Sequence, residues 1–187
     1  MKLLSLVDRV NGLTRGAPYA VVGGVAQILW ARKTHTDDLD VAVASEAWRR
    51  AVQRVRRGAA PRGWRLPAPP DRAVESDEVF EVAHVMYRGS VVDLLCFRDD
   101  AFMGEILATA QVVPGVGPYR FIRPELLLVT HLMRPRVEAA LAAVELVLAR
   151  RAAGDFDEEY TARWAKHMGR APDFARTLAR AAEMQSG

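Results

Sequence analysis

The sequence has very little cysteine, no long apolar run and no internal repeat. Its single cysteine, Cys96, excludes an intrachain disulfide and fits a reducing cytoplasm. No apolar run approaches the length of a membrane-spanning helix. The apolar start at residues 3–7 is cut short by Asp8 and Arg9, so a secretory signal peptide is not expected. A cytoplasmic globular protein without a membrane partner is therefore expected.

Length and composition are ordinary for such a protein. The 187 residues are 50% hydrophobic and 26% charged, which is sufficient for one domain, or for a catalytic core with a helical annex. The net charge of +3 makes the chain mildly basic. This charge permits a polyanionic partner without requiring one.

Hydrophobic periodicity predicts strands and helices in the first two thirds of the chain and helices in the last third. The predicted helices of the first part cover residues 3–13, 25–31 and 46–57, and the predicted strands cover residues 19–22, 39–43, 79–87 and 90–97. Residues 58–72 should form an irregular loop, and residues 112–122 a turn or an irregular hairpin. Four more helices are expected over residues 124–133, 135–153, 157–168 and 173–184.

Two carboxylates stand at the start of the strand predicted over residues 39–43. Asp38 and Asp40 are two positions apart, so they point to the same face of the strand, whereas Asp37 faces away. Two like charges held side by side repel unless a cation lies between them. Because Mg²⁺ prefers carboxylate oxygens, the pair predicts a divalent metal site.

A glycine pair, Gly23-Gly24, lies between the preceding strand and helix. Taken alone, such a pair is more typical of a tight turn that needs positive φ. The carboxylate strand that follows favours a phosphate-binding loop at the helix N-terminus. In the connection between them, Arg32 is a candidate for phosphate contact and Thr36 for a hydroxyl hydrogen bond, whereas His35 is expected to be solvated.

A third acid, Asp93, interrupts the apolar strand over residues 90–97. Charges of this kind are rarely buried unless they are paired or bound to metal. A buried salt bridge or a strand-end acid is the structural alternative. His84, on the partner strand, is expected to be a packed or hydrogen-bonded histidine, and Cys96 a small core residue.

An arginine stripe, Arg50, Arg54 and Arg57, lies opposite the apolar face of the helix predicted over residues 46–57. It is a candidate for contact with a nucleic acid backbone, and a solvated helix face is the more common alternative. Trp64, between two arginines, either stacks on a base or covers a flank of the core.

The order of these pieces resembles the nucleotidyltransferase superfamily that shares its fold with DNA polymerase beta. The superfamily signature is a hydrophobic residue and a Gly pair, a spacer, and then Asp-hydrophobic-Asp-hydrophobic. Here Val22-Gly23-Gly24 and Asp38-Leu39-Asp40-Val41 are separated by thirteen residues. Asp93 corresponds to the third carboxylate, on a later strand, and the resemblance covers residues 19–97.

The resemblance implies an α+β fold. A polymerase-beta-like core, made of a short mixed sheet with flanking helices, is expected over residues 1–122. A C-terminal helical region, residues 123–187, is expected to pack on that core.

The resemblance also implies residue roles. Asp38 and Asp40 would bind metal, Asp93 would be the third ligand or the general base, and Gly23 and Gly24 would hold the triphosphate. Mg²⁺ neutralises charge on the α-phosphate and the departing pyrophosphate, and two ions about 3.5–4 Å apart can clamp the attacking and leaving oxygens.

Two branches of the superfamily are similar to residues 32–40. One is the AbiEii-type toxin–antitoxin nucleotidyltransferases, and the other is the small lincosamide and aminoglycoside nucleotidyltransferases. The predicted function is therefore Mg²⁺-dependent transfer of an NMP from an NTP to a hydroxyl of tRNA, protein or a small molecule. A cognate antitoxin or toxin is a further expected partner. The alternatives are a non-catalytic binding or antitoxin-like protein on the same fold, and a plain helical scaffold with an acidic strand end.

Overall fold

The structure of the protein is a computed structural model, which describes residues 3–31, 35–69, 73–134 and 136–186. The chain divides into two compact units. The first comprises Met1–Val25 and His35–Ile122, and the second comprises Ala26–Thr34 and Arg123–Gly187. The predicted division into a core over residues 1–122 and a packed helical region over residues 123–187 stays a prediction.

The first unit is built on an eight-stranded sheet. Its strands are β1 (Tyr19–Val21), β2 (Asp38–Val43), β3 (Trp64–Arg65), β4 (Val74–Ser76), β5 (Phe80–Tyr87), β6 (Ser90–Phe97), β7 (Gln111–Val112) and β8 (Arg120–Phe121). The order is β3-β5-β6-β2-β1-β8-β7, and β4 also pairs with β5. Strands β2 and β6 are parallel, as are β1 and β8, whereas β1 and β2 are antiparallel, so the sheet is mixed.

The β5–β6 hairpin has the tight turn that the sequence predicts. Arg88 and Gly89 both have positive φ, 48° and 95°, as a turn matched to the twist of a two-residue hairpin requires. The loop predicted over residues 58–72 is less irregular than expected in its described part, because that part contains β3. Trp64 on β3 packs on Tyr87, with ring centroids 5.1 Å apart, so it covers a flank of the sheet.

Four helices belong wholly or partly to the first unit. They are α1 (Ser5–Thr14), α2 (Gly23–Trp30), α3 (Ser45–Arg56) and α4 (Asp100–Thr109). Helix α3 buries Trp48, Val52 and Val55, as its periodicity predicts, and the Trp48 indole N–H donates to the carbonyl of Leu94, at 2.7 Å. These contacts fix α3 against β6.

The second unit is helical. It contains α5 (Pro124–Leu132), α6 (Val137–Ala153), α7 (Glu158–His167) and α8 (Ala171–Ser186), close to the four predicted helices. Helix α5 is buried all round, and Pro124 occupies its first turn, where no N–H donor is needed. Gly154 ends α6 with a left-handed φ of 74°. No helix among the described residues combines the length and the apolarity that crossing a membrane requires. The predicted α+β fold is confirmed.

Candidate active site

Three carboxylates converge on one face of the sheet. In the parallel ladder between β2 and β6, Asp40 lies directly opposite Asp93. Asp38 is two residues before Asp40 and therefore shares its face. One oxygen from each of the three carboxylates lies within 4.8 Å of the others. The sequence prediction that these side chains cluster agrees with this geometry.

The strands that carry the carboxylates are mostly buried and apolar. Every residue of β2 after Asp38 is buried, and the last four residues of β6 are buried as well. Asp40 itself is only 8% exposed, whereas Asp38 and Asp93 are partly open to solvent. The acids therefore lie in the first half of the β2–β6 ladder, where Asp38 and Asp93 are accessible to a ligand.

Each carboxylate accepts a hydrogen bond from a different part of the unit. The Thr36 hydroxyl donates to Asp38 at 2.7 Å, from the segment that precedes β2. The backbone N–H of Gly24 donates to Asp40 at 3.2 Å. These two donors, predicted as nucleotide-binding residues, therefore also orient the carboxylates.

Gly23 has no room for a side chain. Its φ is +55°, and a Cβ added there would lie 2.0 Å from Oδ2 of Asp40. Both facts require glycine: the first because the left-handed region is strained for other residues, the second because a methyl group would displace the Asp40 carboxylate. The glycine pair thus forms a tight turn and also allows the start of α2 to approach the acidic cluster.

His84 supports the third carboxylate. It pairs with Asp93 across the β5–β6 ladder, and its Nδ1 donates to Asp93 Oδ1 at 2.8 Å. Its Nε2 lies 3.5 Å from a carboxylate oxygen of Glu75 on β4. Burial lowers the pKa of His84, but the Asp93 and Glu75 carboxylates raise it by more, so the pKa of His84 lies above its usual value. The expectation of a hydrogen-bonded histidine agrees with this contact.

Glu75 is a residue that the sequence reasoning missed. Its only sequence signal is an acid within a short segment, Val74–Ser76, that lies beside the Pro-rich loop. The ladder that places it near His84 pairs β4 with β5 in an antiparallel register. Such a short strand has no readable periodicity, so its position becomes clear only in the folded sheet.

Three further residues considered in the sequence analysis have different outcomes. Asp37 points away from the cluster, with its side chain 92% exposed and 2.7 Å from His35 Nε2. Arg32, the candidate phosphate contact, lies outside the described residues. Cys96 is buried, as expected, and burial raises the pKa of its thiol.

The arginine stripe of α3 is partly occupied by contacts within the unit. Arg50 pairs with Glu46 at 2.9 Å, and Arg54 donates to the carbonyl of Leu13 at 2.7 Å. Together with Arg15 the stripe lines a groove of about 470 Å³ beside the end of α1. Its role in nucleic acid binding stays a prediction.

The donor set at the cluster fits a hard divalent cation. Three carboxylates offer oxygen ligands, and their mutual repulsion would be relieved by a positive ion among them. No thiol or histidine nitrogen belongs to the cluster as found among the described residues, and such ligands are typical of zinc sites. The chemistry of the donors therefore suits Mg²⁺ or a similar ion.

Comparison with solved structures finds similar chains. The solution structure of the antibiotic-resistance factor ANT(2″)-Ia matches with 16% sequence identity and a TM-score of 0.54, covering 100% of this chain and 98% of that chain. The crystal structure of ANT(2″)-Ia in complex with adenylyl-2″-tobramycin matches with 14% identity and a TM-score of 0.48, covering 96% and 99%. JHP933 from Helicobacter pylori matches with 14% identity and a TM-score of 0.45, covering 98% and 80%.

Sequence comparison alone finds no relative. No protein-family profile and no curated protein matches the chain. The likeness to the solution structure of ANT(2″)-Ia is thus a likeness of fold. The chain shares the fold of that antibiotic-resistance factor, and its mixed sheet with flanking helices agrees with the predicted α+β class.

Proposed function

We propose that this protein is a divalent-metal-dependent nucleotidyltransferase that moves an NMP from an NTP to a hydroxyl acceptor. The observation that carries the proposal is the convergence of Asp38, Asp40 and Asp93 beside a glycine turn at a helix start. In this proposal the three carboxylates hold Mg²⁺, with two ions when the NTP is bound. Bound Mg²⁺ would neutralise charge on the α-phosphate and on the departing pyrophosphate.

The chain's own groups have separate tasks in this reaction. The first turn of α2 binds phosphate, because its N–H groups and the helix dipole favour an anion there. Asp93, partly open to solvent, accepts the proton of the acceptor hydroxyl. His84 positions Asp93 through its hydrogen bond. Thr36 and Arg32 complete the nucleotide site in this proposal.

The acceptor class is the finer part of the proposal. A tRNA, a protein side chain and a small molecule such as an antibiotic all present hydroxyl groups. The toxin-like segment over residues 32–40 favours a toxin–antitoxin context with a cognate protein partner. Labelled ATP and the other labelled NTPs, incubated in turn with RNA, protein and antibiotic acceptors, separate these classes. The proposal places the protein in the cytoplasm, where NTPs are available.

Calorimetric titration of each NTP, with Mg²⁺ and with EDTA, tests the proposed site. The variant Asp38→Asn should lose Mg²⁺-dependent binding, because it removes a charged ligand while the side-chain shape is kept. Asp37→Asn is the matched control. It removes the same charge from the neighbouring residue, whose side chain faces solvent. Binding that survives in Asp38→Asn, or is lost equally in Asp37→Asn, would contradict the proposal. Binding of no NTP would favour a non-catalytic protein on this fold.

A further inference from the structure

The second unit carries a cationic groove that the proposed reaction does not use. The groove has a volume of about 540 Å³ and lies among the end of α5, the start of α6 and α8. Five arginines line it: Arg134, Arg136, Arg170, Arg176 and Arg180. Asp173 is the single acidic residue among its described lining residues, so the lining carries a formal charge of +4. The net charge of the whole chain is only +3, so positive charge is concentrated here.

Three other arginines in this unit pair with carboxylates outside the groove. These pairs are Arg123–Glu125, Arg150–Asp155 and Arg151–Glu158. In the groove, by contrast, Asp173 is shared: it pairs with Arg176 and lies 3.6 Å from Arg170. Because one carboxylate cannot neutralise the guanidinium groups of Arg136, Arg170, Arg176 and Arg180, the groove carries more positive charge than Asp173 balances.

The shape of the groove suits an extended anion. Arg176 and Arg180 are four residues apart on α8 and therefore lie on one face of the helix, about 6 Å apart along its axis. Arg170 directly precedes the helix, so the arginine row extends about 15 Å at a rise of about 1.5 Å per residue. A single phosphate cannot occupy such a length, whereas the successive phosphates of a nucleic acid strand can.

The groove also has an apolar part. Leu132, Val137, Ala140 and Val144 contribute to the groove, and Val137 is 73% exposed. An inorganic polyanion has no apolar group that could be buried against such a surface. The sugars and bases of a nucleic acid strand can lie on apolar side chains while its phosphates meet guanidinium groups, which bind phosphate in a bidentate manner.

We propose that this groove binds the phosphodiester backbone of a nucleic acid strand. This proposal does not depend on the transfer reaction. The shared chemistry of RNA and DNA is the repeating phosphate, and the two are distinguished by experiment. With about four phosphate contacts, the logarithm of the binding constant should fall with the logarithm of salt concentration with a slope of about −2.8.

Fluorescence anisotropy of labelled oligo-U RNA and oligo-dT DNA, each of about twelve nucleotides, tests the proposal on the full chain. The double variant Arg136→Glu/Arg180→Glu should weaken binding at least about tenfold and reduce the salt slope by about 1.4, which corresponds to two lost contacts. Both residues are exposed, and a glutamate at the start of α6 suits the helix dipole, so folding should persist. Arg136→Gln/Arg180→Gln is the milder second variant.

The control is Arg163→Glu/Lys166→Glu, which changes the net charge equally at exposed positions of α7 outside the groove. It should bind within about twofold of the wild type. Equal loss in both pairs would show only a general charge effect and would overturn the proposal. The proposal would also be overturned if Arg50→Glu/Arg57→Glu lost oligonucleotide binding while Arg136→Glu/Arg180→Glu kept it.

Further arms separate other anions. Inorganic tripolyphosphate that binds while neither oligonucleotide does, or polyglutamate that competes as strongly as RNA, would overturn the proposal. Preferential binding of one oligonucleotide that is lost in Arg136→Glu/Arg180→Glu would support the proposal and would show whether the strand is RNA or DNA. Asp38→Asn should bind both oligonucleotides as the wild type does, so failure of the transfer proposal leaves this test intact.

Discussion

Replacing Gly23 with alanine should disrupt the acidic cluster although none of the three aspartates is mutated. The new Cβ would lie 2.0 Å from Oδ2 and 2.4 Å from Cγ of Asp40, and the backbone would keep a φ of +55°. The left-handed backbone costs about 1–2 kcal/mol for alanine. Turning Asp40 away costs about 1 kcal/mol in rotamer strain, and it also removes the hydrogen bond from Gly24.

Gly58→Ala is the matched control for this change. Gly58 also has a positive φ, +67°, but a Cβ there would meet nothing within 4 Å. It should therefore show the backbone cost alone, about 1 kcal/mol, whereas Gly23→Ala should lose about 3 kcal/mol in urea denaturation.

Nucleotide binding is the sharper assay for Gly23→Ala. Displacing one of three neighbouring carboxylates relieves part of their mutual repulsion, which offsets some of the lost stability. Mg²⁺-dependent NTP binding has no such offset and should weaken about a hundredfold, while Gly58→Ala should bind normally. Wild-type NTP binding by Gly23→Ala, or a stability loss no larger than that of Gly58→Ala, would refute the reasoning.

Three further changes test particular contacts. Trp48→Phe removes the indole donor to the Leu94 carbonyl, and urea denaturation should show a loss of about 2 kcal/mol; no loss would contradict a structural role for this bond. His84→Ala removes the donor to Asp93, so Mg²⁺-dependent nucleotide binding should weaken about tenfold, with little change in the unfolding temperature. Because burial raises the pKa of the Cys96 thiol, iodoacetamide should modify it slowly until the protein unfolds. The folded state holds the thiol proton more tightly than the unfolded state. The resulting stabilisation is present below the unfolded thiol pKa of about 8.5 and is lost as pH rises through the folded pKa. A urea midpoint that rises over this pH range would contradict the predicted direction.

Local sequence patterns were sufficient to predict much of the structure of the first unit. Strand alternation placed Asp38 and Asp40 on one face, and the Arg88-Gly89 turn fixed the hairpin register that sets His84 opposite Asp93. The parallel pairing of β2 with β6 had no local signal, because about fifty residues separate the strands. Only the resemblance to a known family pointed to Asp93 as the third carboxylate.

Other features were missed or misjudged for physical reasons. Helix α4 had a readable signal that was overlooked, namely Asp99 as an N-cap whose side chain accepts from the N–H of Phe102. On α6 the large apolar residues Val137 and Leu141 are exposed, although they continue an apolar row along the helix. Small residues such as Ala143 are buried instead, because helix packing is decided by the facing helix as much as by side-chain size.

The acidic cluster shows how a fold can hold three like charges in advance of a ligand. A loop hydroxyl, a helix N–H and a strand imidazole each donate to one of the three carboxylates. Donors of this kind restrict how each carboxylate can turn, and their positive ends offset part of the repulsion among the acids. Since the donors come from three separate elements, loss of one should loosen one carboxylate while the others keep their orientation. Separate donors for each carboxylate are expected at a site whose residues are selected for the geometry of ligand binding more than for the stability of the fold.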